Sequence, residues 1–513
     1  VISRKISEEL ADEVRAFVSE NKITGVYLET DLKRYYPNSS LAAQALGFVS
    51  SDNNGSEGLE AYYNEELSGT AGKVVTSKGN YGSEMPYTYE KYYDASDGCS
   101  LVTTIDATVQ AYVEKNLQNA IDKYDIKNGA FCIVMDVNTG EIKAMATLGS
   151  YDPNNYLEIY DDAAAALLEN ERDAALSLPE ASDAYKAAIE QYKQDVASAR
   201  MAQWRNRCVS DGYEPGSTFK LVQGLIGLQE GVLRPSDLHS CHMGYQAGRL
   251  KMACHAHASP LDLRFAVATS CNAYFCYVFR DILDNPKYGS VKEGYDVWKQ
   301  YVESFGFGRK LGSDFLDEGN GYVPDRAYYD RQYRGSWNSL TVLSLSIGQD
   351  ALGCTPLQLA NLACIVANRG YYYIPHIVKK IEGQDSLDAR FYERHYTMVE
   401  PKHFEPIVEG MWRGVNVGGT STRARLEGLD VCGKTGTAEN PRGRDHSTFL
   451  SFAPKDNPKI AISVYVENGG FGASAALPIA SLLEEYYLTD TIRRPELLQY
   501  IKDMNIYYPA YDK

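Results

Sequence analysis

Three short polar motifs, in a fixed order, constrain the fold of this chain most. They are Ser217-Thr-Phe-Lys220, Ser270-Cys-Asn272 and Lys434-Thr-Gly-Thr437. On a helix, Ser217 and Lys220 lie three residues apart and share one face. The preceding Pro215-Gly216 is predicted to start that helix and to place the hydroxyl near the positive end of the helix dipole. Because a serine becomes nucleophilic only when a base removes its proton, a lysine with a pKa lowered by partial desolvation is the predicted base.

The other two motifs supply groups that an acyl-transfer site needs. Asn272 can hydrogen-bond a substrate amide and the lysine of the first motif, and Lys434 supplies positive charge. If the third motif lies on an edge strand, the N–H groups of Ser217 and Thr437 are predicted to form an oxyanion hole. The hydroxyls of Thr435 and Thr437 are predicted to hold a substrate carboxylate. The catalytic candidates are Ser217, Lys220, Ser270, Asn272, Lys434, Thr435, Gly436 and Thr437.

Local patterns place strands near both ends of a largely helical chain. With 513 residues, two or three domains are expected. Periodicity and turn residues predict a strand over 25–30, a hairpin over 130–146, three strands over 433–439, 449–453 and 460–467, and a closing helix over 475–487. Residues 157–205, rich in Ala and charged residues, are predicted to be an inserted helical hairpin at the surface. The pattern favours an α+β fold whose sheet is completed by the C-terminal strands.

The charge balance excludes some classes of partner. A formal charge of −17 argues against a nucleic-acid surface and against broad docking on anionic lipid, since both need a basic face. No stretch approaches the roughly 18–20 consecutive apolar residues that span a bilayer. Either the protein is soluble as written, or an N-terminal anchor was removed from it.

A cluster of cysteines and histidines lies between the first two motifs and extends into the second. It comprises His239, Cys241, His242, Cys254, His255, His257 and Cys271. Thiolate and imidazole are the ligands that zinc prefers, and a structural zinc site takes four of them. The spacing matches no standard finger, so a chance cluster of buried thiols and surface histidines stays open beside a zinc site. The seven other cysteines are predicted to be core or near-core thiols.

The segments around the motifs resemble class B penicillin-binding proteins. The matching segments are Tyr213-Glu-Pro-Gly-Ser-Thr-Phe-Lys, Ser270-Cys-Asn-Ala-Tyr-Phe, Ile347-Gly-Gln, Thr355-Pro-Leu-Gln-Leu-Ala, Gly433-Lys-Thr-Gly-Thr-Ala-Glu, Arg34-Tyr-Tyr-Pro, Gly58-Leu-Glu-Ala-Tyr-Tyr-Asn-Glu-Glu-Leu-Ser-Gly-Thr and Asp136-Val-Asn-Thr-Gly-Glu-Ile. The resemblance runs from about residue 1 to 490, with 157–205 as the main unmatched insert. Asp445-His446, with Phe449 and Ala453-Pro454 after it, is more similar to the cell-elongation branch than to the division branch.

This resemblance implies an elongated N-terminal pedestal (a dimerisation-type module, residues 1–98) followed by a transpeptidase domain of serine β-lactamase-like fold (residues 99–513). It implies a peptidoglycan D,D-transpeptidase, active in cell-wall synthesis and cell shape, that is acylated at its serine by stem peptides or by β-lactam antibiotics and needs no cofactor for catalysis. It also implies a single-pass protein of the cell membrane with its catalytic domain outside the cytoplasm, an N-terminal anchor that this chain lacks, and a SEDS-family glycosyltransferase as partner.

The resemblance also bears on the cysteine and histidine cluster, because some elongation-type members carry zinc beside the active site. By that resemblance the expected ligands are Cys241, Cys254, His257 and Cys271, with His255, His239 or Asp237 as substitutes. Zinc on Cys271 would orient the serine and asparagine on either side of it and would not act as a Lewis acid.

Two other functions share part of this pattern. A serine β-lactamase has the first motif and a strand like the third, but would be roughly half this length. A β-lactam sensor or a wall-assembly scaffold would keep the acylated serine without an acceptor site.

Overall fold

The computed structural model describes residues 2–29, 31–75, 91–121, 129–497 and 499. Its helices are α1 Glu8–Glu20, α2 Ala43–Leu46, α3 Gly58–Tyr62, α4 Asn64–Ser68, α5 Ala107–Ile121, α6 Asp162–Leu176, α7 Asp183–Trp204, α8 Arg207–Ser210, α9 Lys220–Gln229, α10 Leu263–Thr269, α11 Asn272–Leu283, α12 Val291–Ser304, α13 Arg326–Gln332, α14 Pro356–Ala367, α15 Phe404–Arg413 and α16 Ala476–Thr489. Its strands are β1 Lys73–Val75, β2 Lys91–Tyr93, β3 Leu101–Thr103, β4 Ala130–Asp136, β5 Ile142–Thr147, β6 Gly244–Ala247, β7 Leu250–Ala253, β8 Tyr371–Tyr372, β9 Val378–Ile381, β10 His395–Tyr396, β11 Cys432–Ala438, β12 His446–Ala453 and β13 Ile460–Val466.

The central sheet joins the first hairpin to the last three strands, which confirms the α+β prediction. Its order is β11-β12-β13-β4-β5, and every neighbouring pair is antiparallel. Strands β4, β12 and β13 are almost continuously buried, as expected for strands covered on both faces. β11 is an edge strand, so its outer side is open to the elements that carry the first two motifs.

Helices cover both faces of this sheet and divide the core in two. On one face, α5 and α16 bury Val113 and Ile479 against Phe449 and Val464. On the other face, α14 packs against β13, β4 and β12 and belongs to a larger core that includes Leu450 of β12 and residues of α9 and α11. The first residue of α9 is Lys220, so the helix carries this polar side chain into an otherwise apolar interior.

The N-terminal region begins with the predicted amphipathic helix, α1, whose N-cap is Ser7. The strand predicted over 25–30 is wrong for residues 25–29, and Thr30 lies outside the described residues. Val26-Tyr-Leu has β-forming side chains, but Tyr27 is 85% exposed and no described strand pairs with it. A strand needs such a neighbour for its backbone hydrogen bonds, so propensity alone does not form one here.

The insert is the predicted helical hairpin, formed by α6 and α7 packed together. The base of this hairpin packs against the N-terminal region, so the insert is not only a solvated surface. Tyr156 stacks on Phe48 of the N-terminal region with ring centroids 4.2 Å apart, and Trp204 lies 4.8 Å from the same ring. The insert therefore packs between the N-terminal region and the central domain. Throughout the part of the chain that is described, no helix combines the length and apolarity that crossing a bilayer requires.

Candidate active site

The serine of the first motif lies in a tight turn beside the edge strand. Gly216–Phe219 form a 3-10 turn, and the α-helix begins only at Lys220, so the prediction that Pro215-Gly216 starts the helix is wrong by one turn. Gly216 has φ +53°, and a Cβ added there would lie 2.3 Å from the carbonyl oxygen of Thr437. Glycine thus allows close contact between the turn and β11, which brings the half-buried Ser217 to the third motif.

Two buried lysines converge on the second motif. Lys220 Nζ donates to the carbonyl oxygen of Ser270 at 2.8 Å, to Ser270 Oγ at 3.3 Å and to Asn272 Oδ1. Lys434 Nζ donates to the same Ser270 Oγ at 2.7 Å and to the carbonyl oxygen of Thr435 at 2.7 Å. One hydroxyl therefore connects the lysines of the first and third motifs.

Burial shifts both amines toward their neutral forms. Desolvation lowers the pKa of Lys220 to about 8. Desolvation and the charge of Lys220 lower the pKa of Lys434 well below its usual value. No carboxylate among the described residues lies within 4.0 Å of either amine, and the nearby Cys254, Cys271 and Cys276 offset the effect of burial on the Lys220 pKa only in part. The site can hold a basic, unprotonated amine near neutral pH.

The second motif occupies a strained junction between two helices. Ser270 has φ +56° and ends α10, and Cys271 is the N-cap of α11. Asn272 is anchored from the other side, because its N–H donates to Cys254 Sγ at 3.3 Å and its Nδ2 donates to the Ala253 carbonyl at 2.7 Å. The junction orients Ser270 Oγ and Asn272 Oδ1 toward Lys220.

The two threonines of the third motif, on strand β11, border the active-site cleft between the serine turn and the second motif. Thr435 Oγ1 lies 2.7 Å from Thr420 Oγ1, and Thr437 Oγ1 accepts a hydrogen bond from the N–H of Gly472 at 3.2 Å. Sequence analysis missed Thr420. The preceding Gly418-Gly419 marks only a break after α15, and no pattern indicates that this loop returns to β11.

A half-buried carboxyl lies just before the serine turn. Burial, together with the neighbouring charges of Asp350 and Glu439, raises the pKa of Glu214 to about 7. Its titration therefore overlaps the pH range in which Lys220 changes charge.

The four expected zinc ligands meet on the far side of the second motif. The ligand atoms of Cys241, Cys254, His257 and Cys271 all lie within 4.8 Å of one another. A hydrogen bond from Cys271 lowers the pKa of the Cys254 thiol. Tetrahedral zinc with Zn–S bonds of about 2.3 Å places its sulfur ligands about 3.8 Å apart, so this Cys3His donor set fits zinc.

The three substitute ligands lie outside that group of four. The ring of His239 stacks on Tyr277 with centroids 5.1 Å apart, and the Asp237 carbonyl accepts from Tyr274 OH. His255 is exposed, with its ring 5.4 Å from that of His257. Of the seven other cysteines, six are buried and Cys99 is partly buried, as predicted for core or near-core thiols.

Comparison with known proteins agrees with this geometry. The family model of the penicillin-binding protein transpeptidase domain matches residues 130–483, and that of the penicillin-binding protein dimerisation domain matches residues 1–103. The peptidoglycan D,D-transpeptidase MrdA of Acinetobacter baumannii is 26% identical over 92% of this chain and 69% of its own length. Stage V sporulation protein D of Bacillus subtilis is 27% identical over 93% of this chain and 66% of its own length.

A solved structure gives the same result. Pseudomonas aeruginosa PBP2, crystallised with WCK 5153, has a TM-score of 0.67 and 25% identity, covering 89% of this chain and 90% of its own. The two matched domains follow one another in the order that the sequence predicts. The chain therefore belongs to the class B penicillin-binding proteins and carries their dimerisation and transpeptidase domains.

Proposed function

We propose that this protein is a peptidoglycan D,D-transpeptidase that cross-links stem peptides through an acyl-serine intermediate. The observation that carries the proposal is the convergence of Lys220 and Lys434 on Ser270, with Asn272 accepting a further hydrogen bond from Lys220, beside the turn that holds Ser217. The A. baumannii and P. aeruginosa relatives support the same function.

In the acylation step, Ser217 Oγ attacks the carbonyl carbon between the two D-alanines of the donor peptide, and its proton passes to Lys220 Nζ. The N–H groups of Ser217 and Thr437 stabilise the oxygen anion of the tetrahedral intermediate. When the C–N bond breaks, the departing D-alanine amine takes a proton from Lys220, directly or through Ser270 Oγ. The products are free D-alanine and an ester on Ser217.

In the transfer step, an amine of a neighbouring stem peptide attacks the ester carbonyl. Lys220 accepts the proton of this amine, and Ser217 Oγ recovers a proton as the ester bond breaks. The hydroxyls of Thr435 and Thr437 hold the donor carboxylate during acylation, and this carboxylate favours the charged form of Lys434, which burial disfavours in its absence. Gly436 contributes space, because a Cβ there would lie 2.4 Å from Thr448 Cγ2.

Intact mass after mixing with a β-lactam tests this proposal. We expect one stable adduct on the wild type and none on Ser217→Ala. A rapid return to the unmodified mass would mean that the protein is a β-lactamase. The absence of any adduct would mean that it is a scaffold without acylation activity. Loss of cross-linking in Ser217→Ala, with partner binding retained, would exclude a sensor or scaffold role.

We further propose that Cys241, Cys254, His257 and Cys271 hold a structural zinc ion. Its only contribution is to cross-link the segments that carry these ligands and so to orient Ser270 and Asn272. Metal analysis of the purified protein should give one zinc per chain, and a chelator should lower its unfolding temperature. Protein without zinc, whose unfolding temperature a chelator leaves unchanged, would refute the metal but not the transpeptidase.

The family resemblance supports four narrower proposals. We infer the elongation branch, a SEDS-family glycosyltransferase as partner, a single-pass membrane anchor, and a catalytic domain outside the cytoplasm. For the domain boundary we propose residue 98. Ser96 still pairs with Thr70 of the N-terminal region, whereas β3 pairs with β9 of the transpeptidase domain.

A further inference from the structure

A group of tyrosines around one arginine lies on a small surface ladder after α14. Strands β8 and β10 pair Tyr371 with Tyr396, and their ring centroids are 5.9 Å apart. The Tyr373 ring lies 6.0 Å from that of Tyr371, nearly perpendicular to it. Tyr396 is 65% exposed, and Tyr371 and Tyr373 are half-buried. We call Tyr371, Tyr373, Arg394 and Tyr396 the tyrosine platform.

The arginine of the platform is held in place by aromatic groups. The Arg394 guanidinium carbon lies 4.5 Å from the Tyr371 ring centroid, and Nε donates to Tyr373 OH at 3.0 Å. The side chain is exposed, and no carboxylate of the described residues lies within 4.0 Å of it. In a chain of formal charge −17, this guanidinium is therefore oriented without an acidic partner.

This combination of groups has a specific binding chemistry. Exposed aromatic rings pack against the apolar C–H faces of sugars, and a fixed guanidinium pairs with a carboxylate by two hydrogen bonds. A membrane surface or a nucleic acid would require many clustered cations, and the platform has one. The platform instead fits a glycan whose carboxylates are widely spaced.

We propose that the tyrosine platform binds a glycan strand of peptidoglycan, with sugar faces on Tyr371 and Tyr396 and a stem-peptide carboxylate on Arg394. This inference rests on the proposed function and adds a second substrate contact away from the cleft.

The position of the platform suits this role. α14 begins beside the serine turn, where the Tyr213 N–H donates to the Cys354 carbonyl at 2.8 Å, and the platform follows its other end. The platform lies beside the β4–β5 turn, because a Cβ added at Gly140 would lie 3.0 Å from Tyr373 Cβ. Thr437, next to the serine turn, is level with the opposite end of β4 and three strands away, so the platform lies roughly 25 Å from Ser217. An extended stem peptide of about five residues spans about 18 Å, so the platform would hold the glycan strand beyond the stem peptide that enters the active site.

Binding of labelled, uncrosslinked glycan strands to the whole protein tests the proposal, with one batch intact and one stripped of stem peptides. We expect Arg394→Gln to weaken binding of intact strands about tenfold and to leave stripped strands unaffected. We expect Tyr396→Ala to weaken both about fivefold, with Tyr396→Phe close to wild type. Matched controls are Arg249→Gln and Tyr322→Ala, which remove exposed residues of the same types elsewhere.

Wild-type affinity in both Arg394→Gln and Tyr396→Ala would overturn the proposal, as would equal losses in the two controls. Acylation of each variant by a β-lactam is measured in parallel and should match the wild type, which also shows that the variants fold. If the wild type is not acylated but binds strands through the platform, the proposed function fails while the binding surface stands.

Discussion

The rate of acylation by a β-lactam should rise with pH through the titration of Lys220. The side chain is fully buried, and desolvation lowers its pKa to about 8. Only the neutral amine can accept the Ser217 proton. The neutral fraction is about one-eleventh at pH 7 and about ten-elevenths at pH 9, so the rate should rise roughly tenfold between these values. The sign follows from the role, because a general base works on the high-pH side of its own pKa.

The assay is the second-order rate constant for labelling with a fluorescent β-lactam between pH 6 and 9.5, with unfolding temperatures measured at each pH. Glu214→Gln is the control, because the Glu214 pKa of about 7 also lies in this range. The variant should keep the rise centred near pH 8. If the rise disappears in Glu214→Gln, the carboxyl and not the amine is responsible for it.

Two results would refute this reasoning. One is a rate that stays flat or falls between pH 7 and 9 while the protein remains folded. The other is acylation retained in Lys220→Arg, since a guanidinium does not lose its proton in this range. We expect that variant to lose about a hundredfold or more in rate. Retained activity would mean that the base is Lys434, whose amine also donates a hydrogen bond to Ser270 Oγ.

Three further predictions each concern a single residue. Gly216→Ala should slow acylation about a hundredfold in the same labelling assay, because its Cβ would displace the serine turn, whereas Gly231→Ala, with φ +70° and no atom within 4 Å of the added Cβ, should not. Thr420→Val should weaken labelling by about tenfold, since it removes the hydroxyl partner of Thr435 at 2.7 Å, and an unchanged rate would exclude that contact. Burial raises the pKa of Glu484 from 4.5 to about 8, so wild-type stability should fall, relative to Glu484→Gln, by about 3–5 kcal/mol as pH rises from 4.5 to 8. Thermal unfolding at pH 5 and pH 8.5 checks this, and parallel losses in both proteins would contradict it.

Local patterns predicted the central sheet because its strands are separated by strong turn signals. The hairpin turn at 137–140 and the apolar runs of β12 and β13 specify strands whatever their neighbours are. The same kind of local pattern predicted a strand at the exposed residues 25–29, and this prediction is wrong. Tyr27 can join a sheet only if a partner strand lies beside it, and a local sequence pattern does not reveal that partner.

The catalytic motifs could be predicted from the sequence because each combines reactive side chains at short spacing. The contact between Thr420 and Thr435 could not be predicted, because the two residues lie on different elements and meet only where a loop returns to β11. The buried carboxyl of Glu484 was equally hidden. Nothing in its local sequence distinguishes it from the largely exposed acids of the insert.

The second motif links the chemistry to the thiol cluster through consecutive residues. All three groups that accept hydrogen bonds from Lys220 Nζ belong to Ser270 or Asn272, and the residue between them, Cys271, belongs to the cluster. The Asn272 N–H also donates to Cys254 Sγ. A displacement of this segment by about 1 Å would disturb every one of these bonds at once, and effects of that size cost roughly a hundredfold in rate. Residues that never contact substrate therefore fix the position of the base, and disturbing them should lower the rate of acylation.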